Sequence, residues 1–208
     1  MNAKYPIPFS VCTLIILIGS FIFSEHKSIW YLEVFPILIG FPILFFTYHT
    51  FRFTHLIYIL LIIHFVILSV GGIYTYAEAP LGYWMQDYFG FERNNYDKIG
   101  HFAQGFVPAL LAREILLRTS SLRAGKWLVF IVLSICLAIS ALYEIIEWWV
   151  AVLHEASAED FLGTQGNVWD AQSDMFFALI GASVALLTLS KVQDKALASR
   201  DARADSQY

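Results

Sequence analysis

Long apolar runs alternate with short polar connections along the chain, and each run predicts a helix that can cross a bilayer. A hydrocarbon core about 30 Å thick requires about 20 apolar residues in helical conformation. Six segments reach or approach that length: Pro8–Ser24, Glu33–Tyr48, Phe53–Tyr74, Lys98–Leu117, Lys126–Leu153 and Asp170–Leu189. The pattern therefore predicts an all-α membrane protein, a polytopic bundle of six transmembrane helices.

The second of these segments differs from the others because it contains Pro36, Gly40 and Pro42. Proline removes a backbone hydrogen bond and clashes with the preceding turn, so we expect a kinked span here. The longest connection, Ala77–Tyr96, is rich in tyrosine, tryptophan and phenylalanine. Aromatic rings with polar edges collect at the headgroup level of a bilayer, and we expect this connection to lie there.

The sequence after the sixth apolar segment changes character. Residues 191–208 combine charged residues with alanine and serine and contain few large apolar side chains. Such a composition buries too little apolar surface to fold alone. We therefore divide the chain into a six-span transmembrane domain, residues 1–190, and a charged, partly disordered cytoplasmic tail, residues 191–208.

Composition agrees with an integral membrane protein and excludes an ordinary soluble domain. Of the 208 residues, 58% are hydrophobic and 14% are charged, and the mean hydropathy is +0.62. Soluble domains carry about 25% charged residues. The two cysteines, Cys12 and Cys136, lie in different apolar segments, and we expect both to be small buried residues without a disulfide.

The distribution of lysine and arginine predicts the orientation of the spans. With the N-terminus in the cytoplasm, the basic residues on the inner side are Lys4, Arg52, Arg113, Arg118, Arg123, Lys126, Lys191, Lys195, Arg200 and Arg203. The outer side holds only Lys27, Arg93 and Lys98. Because cytoplasmic loops carry an excess of basic residues, we predict that both termini are cytoplasmic.

Two carboxylates interrupt the fifth span. Between Trp127 and Leu153 the only formally charged residues are Glu144 and Glu147. A charge inside a bilayer is costly, so it usually has a partner or a function. Residues three apart share one face of a helix, and these two lie about 27 to 32 Å beyond Lys126, at the outer boundary.

Two other helix ends carry matching polar groups at the same depth. Asp97 and His101 lie four residues apart at the outer end of the fourth span, and Gln104 extends the same face. Asp170 and Asp174 are arranged in the same way at the outer end of the sixth span. Three stretches that are remote in sequence are therefore predicted to meet at the outer face of the bundle.

The predicted cluster holds carboxylates and one imidazole. Its carboxylates cannot all stay ionised in close contact, so either several are protonated or a cation lies among them. Carboxylate oxygens with one imidazole suit a divalent ion: magnesium, manganese, calcium, zinc or iron. The expected metal ligands are Asp97, His101, Glu144, Glu147, Asp170 and Asp174. The expected catalytic residues are Glu144, Glu147 and His101.

Simpler interpretations of these residues stay open. Asp97 and Asp170 begin their helices, and each can be an N-cap. His101 alone can be a structural residue that only forms hydrogen bonds. The whole cluster can be a structural polar network that holds spans four, five and six together.

Three motifs in this region resemble the YjdF family of bacterial inner-membrane proteins, whose function is not established. The motifs are Asp97-Lys98-x-x-His101-Phe102, Tyr143-Glu144-x-x-Glu147 and Gly163-Thr164-Gln165-Gly166-Asn167-x-Trp169-Asp170-x-Gln172-x-Asp174-Met175. With the six-span layout, the resemblance extends over almost the whole chain before the tail. It implies a multi-pass protein of the bacterial inner membrane and no particular reaction. A looser similarity to VanZ-like membrane proteins covers spans four to six and implies no activity.

The residues support one leading hypothesis and two alternatives. The leading hypothesis is a cation-binding acidic site at the periplasmic face, which carries out metal-assisted hydrolysis or transfer on a lipid-like substrate. The first alternative is a proton- or ion-coupled transporter, and the second is a structural or accessory membrane protein without catalysis. The expected partners are the lipid bilayer and a lipid-like substrate, and no nucleic acid.

Overall fold

The computed structural model describes residues 7–153 and 164–205, and within these ranges the chain is helical without any β-strand. The α-helices are α1 Ile7–Phe23, α2 Lys27–Glu33, α3 Phe35–Thr47, α4 His55–Tyr74, α5 Pro80–Phe89, α6 Tyr96–Thr119, α7 Lys126–Leu153 and α8 Asp170–Asp205. A single 3₁₀ turn, Tyr76–Glu78, precedes α5.

Several of these helices have the length and composition of a membrane span. Within the described residues, α4, α7 and α8 each qualify, and α2 with α3 makes a fourth if the two are one bent span. Helix α1 is apolar but only 17 residues long, and α6 has 24 residues but carries charges at both ends. The prediction of an all-α membrane protein is confirmed, while the number of six spans and their orientation stay predictions.

The second predicted span, Glu33–Tyr48, corresponds to the continuous helix α3, and the chain is broken at the start of this span. Helices α2 and α3 meet at Val34 and are bent by 51° relative to each other. The break lies ahead of Pro36, in the first turn of α3, and not at Gly40 or Pro42. Helix α2 cannot continue past Glu33 because the nitrogen of Pro36 has no hydrogen to donate to the carbonyl oxygen of Leu32.

The aromatic connection predicted at the headgroup level forms the short helix α5. Its aromatic rings Tyr83, Trp84, Tyr88 and Phe89 are all exposed. Gly90 ends the helix in the left-handed conformation, at a φ of 69°, which glycine adopts without steric cost. An exposed aromatic helix between two spans suits the interface between headgroups and water.

Helix α8 continues through the stretch that the sequence predicts to be a tail. It does not end near Leu189 but runs to Asp205, through a segment rich in alanine, lysine and arginine, which are strong helix formers. Arg113 of α6 donates to Gln193 Oε1 at 2.9 Å and to Asp194 Oδ1 at 2.7 Å. The first turn beyond residue 190 is therefore attached to the bundle, and the division of the chain at that residue stays a prediction.

The most extensive helix contact in the described residues is that between α6 and α8. A methyl group added at Gly105 would overlap the carbonyl oxygen of Ala178, and one added at Gly181 would overlap that of Phe102. Small residues at such a crossing let two backbones approach closely inside a membrane. The crossing holds the first turns of α6 and α8 side by side, and α7 packs against both helices.

We expect Gly105→Ala and Gly181→Ala each to lower the melting temperature in detergent, because the added methyl forces the two backbones apart. Overpacking of this kind costs about 1–3 kcal/mol. Gly19→Ala in α1 is the matched control, since a methyl group there meets no atom within 4 Å. Equal melting temperatures for Gly105→Ala and Gly19→Ala would contradict the close crossing.

Candidate functional site

The structure places all six predicted site residues at one end of the helix bundle. Asp97 and His101 lie in the first turns of α6, and Asp170 and Asp174 lie in the first turns of α8. Glu144 and Glu147 lie in the last third of α7. Ligand atoms of two overlapping groups lie within 4.8 Å of one another: His101, Glu144 and Asp174, and Asp97, Asp170 and Asp174.

The second of these groups surrounds a lysine of the protein itself. The ammonium nitrogen of Lys98 lies 3.1 Å from Asp97 Oδ2, 2.9 Å from Asp170 Oδ1 and 2.6 Å from Asp174 Oδ1. All four residues are buried. Lys98 therefore lies where an ion shared by these three aspartates would have to bind.

Arg93, just before α6, adds a second cation to the same aspartates. Its Nη2 lies 2.6 Å from Asp170 Oδ1 and 3.3 Å from Asp97 Oδ2, while its Nη1 donates to the carbonyl oxygen of Thr164 at 2.8 Å. Asp97 and Asp170 thus each interact with two cationic side chains. These contacts fit a structural network joining α6 to the start of α8.

The first group, with His101 at its centre, has a more open arrangement. His101 Nδ1 lies 3.8 Å from Glu144 Oε1, and His101 Nε2 lies 3.7 Å from Asp174 Oδ2. Both distances exceed hydrogen-bond length. Glu144 Oε1 is buried and has no hydrogen-bond partner among the described residues. Glu144 Oε1 and Asp174 Oδ2 therefore both face the imidazole ring without forming a hydrogen bond to it.

The ring of His101 is oriented by its neighbours on α6 and α7. Nδ1 lies 2.9 Å from Gln104 Oε1, and the ring of Tyr143 stands edge-on at a centroid distance of 6.2 Å. If Nδ1 carries the hydrogen and donates to Gln104, Nε2 has a free lone pair directed towards Asp174. In that tautomer Gln104 orients the ring, and Nε2 can accept a proton or a cation.

The charges of the site do not balance. Asp97, Asp170, Asp174, Glu144 and Glu147 contribute five negative charges if all are ionised, and Lys98 and Arg93 contribute two positive ones. Among the described residues three negative charges are left, in a region where burial makes an uncompensated charge costly. Bound cations or protons must neutralise part of this excess.

An apolar cavity of about 420 Å³ ends at this cluster. His101, Asp97, Glu147 and Asp174 line one end, and the remaining lining side chains are mostly apolar ones from α3, α4, α6 and α7. Tyr76 also lines the cavity; burial raises the pKa of its phenol well above the usual value, so it contributes a neutral hydroxyl group.

The cavity opens to the side of the bundle, between α3 and α7, which make little contact with each other. Ile39 of α3 and Leu142 of α7 line the cavity and are nevertheless 47% and 53% exposed. In a membrane protein these exposed apolar side chains face lipid. The opening is therefore lined by exposed apolar side chains on both sides.

Two further polar residues near the cavity were not assigned to the site by the sequence. His64 lines the cavity from α4, and its Nε2 has no hydrogen-bond partner among the described residues. Glu33, at the end of α2, is 3% exposed and lies in electrostatic range of Glu147. The sequence signal for both is a polar residue inside an apolar run. His154, which follows α7 directly in the sequence and would add a further cation near the site, lies outside the described residues.

Comparison with known sequences identifies the family. A family model described as "Predicted membrane protein (DUF2238)" matches residues 6–195. The chain belongs to this family. The inner membrane protein YjdF of Escherichia coli (strain K12) is 49% identical over 177 residues, which are 85% of each chain. No solved structure matches the sequence.

These findings confirm the resemblance to the YjdF family that the motifs indicate. They also establish the location of this DUF2238 protein, which is the bacterial inner membrane. The family description gives no reaction, ligand or partner. Any function must therefore be inferred from the acidic site and the cavity.

We expect Lys98→Met to lower the free energy of unfolding by about 3–5 kcal/mol, because it leaves buried carboxylates without their cation. Adding Asp174→Asn to the same protein should recover part of this loss, since it removes one of the uncompensated charges. Thermal melting of both variants in detergent measures the effect, with Lys126→Met at the exposed start of α7 as the control. A Lys98→Met protein as stable as the control would rule out the proposed charge network.

Proposed function

We propose that this protein binds a divalent cation at its acidic site and uses it in hydrolysis or group transfer on a lipid-like substrate. The observation that carries the proposal is an acidic cluster with excess negative charge at the end of an apolar cavity open to the bilayer. The cation would be held by His101, Glu144 and Asp174, with Glu147 beside them. Magnesium, manganese, calcium, zinc and iron all fit a set of carboxylate oxygens with one imidazole.

The donor atoms support this choice over the aspartate group around Lys98. Glu144 Oε1 is a buried acceptor without a partner among the described residues, and one ligand atom each of His101, Glu144 and Asp174 lie within 4.8 Å of one another. Oxygen and nitrogen ligands about 2.0–2.3 Å from one ion lie about 3–3.7 Å apart. The three ligand atoms would have to close by about 1–2 Å around an ion, and no protein cation has to be displaced.

Each residue of the site has a distinct role in the proposed reaction. A divalent ion at this position would polarise a phosphoryl or carbonyl oxygen and lower the pKa of water. Glu147 lines the cavity and is placed to act as the general base. His101 is oriented by Gln104, and Asp174 is oriented by Lys98, which bonds to its other oxygen. The apolar part of the substrate would lie along the cavity.

We also infer that the chain crosses the membrane six times with both termini in the cytoplasm. The spans would be α1, the bent pair α2 and α3, α4, α6, α7 and α8. This arrangement is supported by the bias of lysine and arginine. It places the acidic site at the periplasmic face and lets a substrate enter from the outer leaflet.

Reporter fusions test this topology. Fusions after Ser120 and Ser199 should report a cytoplasmic location, and a fusion near Asn94 should report a periplasmic one. The physical reason is that the first two positions lie beside clusters of basic residues, which are retained in the cytoplasm. A cytoplasmic signal at Asn94 would place the acidic site on the other side of the membrane.

Two other functions compete with this proposal. A proton- or ion-coupled transporter would use the excess carboxylates as carriers of protons, but the acids lie at one end of the bundle rather than at its middle, where transporters bind their substrates.

A purely structural role suits Asp97 and Asp170, whose oxygens bond to Arg93 and Lys98. It does not explain Glu144 Oε1, which forms no bond with any described residue.

Thermal melting with and without added metal separates these functions. We expect manganese, magnesium or zinc to raise the melting temperature of the wild type, because an ion that binds only the folded state stabilises it. The gain is about 2.7 kcal/mol at a free ion concentration 100 times the dissociation constant. Glu144→Gln keeps the shape of the side chain but removes a charged ligand, and it should lose most of this response.

The matched control is Asp87→Asn, which removes an exposed carboxylate from α5 at the same end of the protein. It should keep the full response to metal. Glu147→Gln should retain part of the response, since Glu147 lies beside the three ligands. If the wild type shows no response to any of these ions, and Glu144→Gln is as stable as the wild type or more so, the acids are protonated and the proposal is wrong.

A further inference from the structure

Basic side chains surround a second cavity at the end of the bundle opposite the acidic site. This cavity has a volume of about 650 Å³ and is lined by side chains from the connection between α3 and α4 and from α6 and α8. The basic residues among them are His49, Arg52, His55, Arg118 and Arg200. No carboxylate belongs to the described residues that line it. We call this cavity the basic pocket.

Hydrogen bonds hold two of its arginines in place. Arg118 donates from Nη1 to the carbonyl oxygen of Arg52 at 2.8 Å, and its guanidinium group lies 3.7 Å from the centre of the Phe51 ring. Arg200 donates to the same carbonyl oxygen at 3.3 Å. Arg118 of α6 and Arg200 of α8 therefore meet at the backbone of Arg52, whose own side chain also lines the pocket.

One buried carboxylate lies behind the pocket and compensates part of this charge. Glu114 is fully buried and accepts hydrogen bonds from the backbone nitrogen and the hydroxyl group of Thr54 at 2.9 and 2.7 Å, and from Arg118 at 2.9 Å. Among the described residues in contact with the pocket, Glu114 supplies one negative charge, and Arg52, Arg118 and Arg200 supply three positive charges. The first residues of α4 also line it, so the positive end of that helix adds to the field.

An apolar groove continues from the basic pocket along the surface of the bundle. It has a volume of about 520 Å³, lies between α1 and α4, and shares Arg52 and His55 with the basic pocket. Ile59, Ile62 and Ile63 follow His55 on one face of α4 and line the groove. Ile59 and Ile63 are 61% and 50% exposed, so the groove is open to lipid.

We propose that the basic pocket and the apolar groove together bind one anionic phospholipid. The phosphate of the headgroup would contact the arginines, which recognise phosphate through paired hydrogen bonds, and one acyl chain would lie along the isoleucines of α4. Basic pockets between membrane helices are suited to anionic headgroups. A free phosphate would use the pocket but not the groove, so the continuous groove favours a lipid. This site is separate from the acidic site and independent of the function proposed for it.

Native mass spectrometry of the full chain in detergent tests the proposal. Phosphatidylglycerol should stay bound to the wild type, and phosphatidylcholine with the same acyl chains should bind at least tenfold more weakly. Arg52→Gln should weaken binding of phosphatidylglycerol roughly fivefold, as expected for one arginine near an anionic headgroup, and Arg52→Gln with Arg200→Gln should weaken it further. Arg123→Gln, an exposed arginine on the same side that does not line the pocket, is the control and should bind as the wild type does.

Ile59→Trp tests the groove without changing any charge. The larger side chain should fill the groove and weaken binding of phosphatidylglycerol, and because Ile59 faces lipid the substitution should not disturb the fold. Inorganic phosphate should not displace the bound lipid at millimolar concentration. Three results would each overturn the proposal. Phosphate could displace the lipid completely, phosphatidylcholine could bind equally well, or the Arg52→Gln and Ile59→Trp proteins could both bind like the control.

Discussion

The close crossing of α6 and α8 determines where most polar groups of this membrane protein lie. Gly105 and Gly181 let the two backbones approach until a methyl group at either position would meet a carbonyl oxygen of the other helix. At one end the crossing brings Lys98 between aspartates of both helices, and beyond the other end Arg113 reaches Gln193 and Asp194. Lys98 and its aspartates are buried, so water competes little with their ion pairs, and the crossing and these ion pairs support each other.

Lys98 divides the predicted acidic cluster into two parts with different chemistry. On one side, Asp97 and Asp170 are bonded to Lys98 and Arg93, and their charges are compensated within the protein. On the other side, Glu144 Oε1 lies 3.8 Å from His101 and has no hydrogen-bond partner among the described residues. Asp174 takes part in both, because one of its oxygens bonds to Lys98 and the other faces His101. The excess negative charge is thus concentrated where the apolar cavity ends.

Much of this arrangement follows from the sequence. Apolar runs predict the membrane helices, and the helical rise per residue predicts how far along each helix a polar residue lies. The pattern correctly indicates an all-α membrane protein and brings Asp97, His101, Glu144 and Asp174 to one end of it. The pairing of Lys98 with three aspartates cannot be read in this way, since it depends on the rotation of α6 against α8. The apolar pattern also does not predict the break at Val34, which depends on a proline two residues further on. It does not predict the extension of α8 past Leu189, which depends on the helix propensity of the residues there.

The uncompensated carboxylates beside His101 are proposed to bind a divalent cation. Elemental analysis of protein purified without chelator tests this binding most directly, with Glu144→Gln purified in parallel. We expect about one divalent metal ion per wild-type chain and a clear loss of that metal from the variant. The reason is that Glu144 supplies a ligand without another partner among the described residues. Wild-type protein that retains no metal, or a variant that retains as much as the wild type, would contradict it.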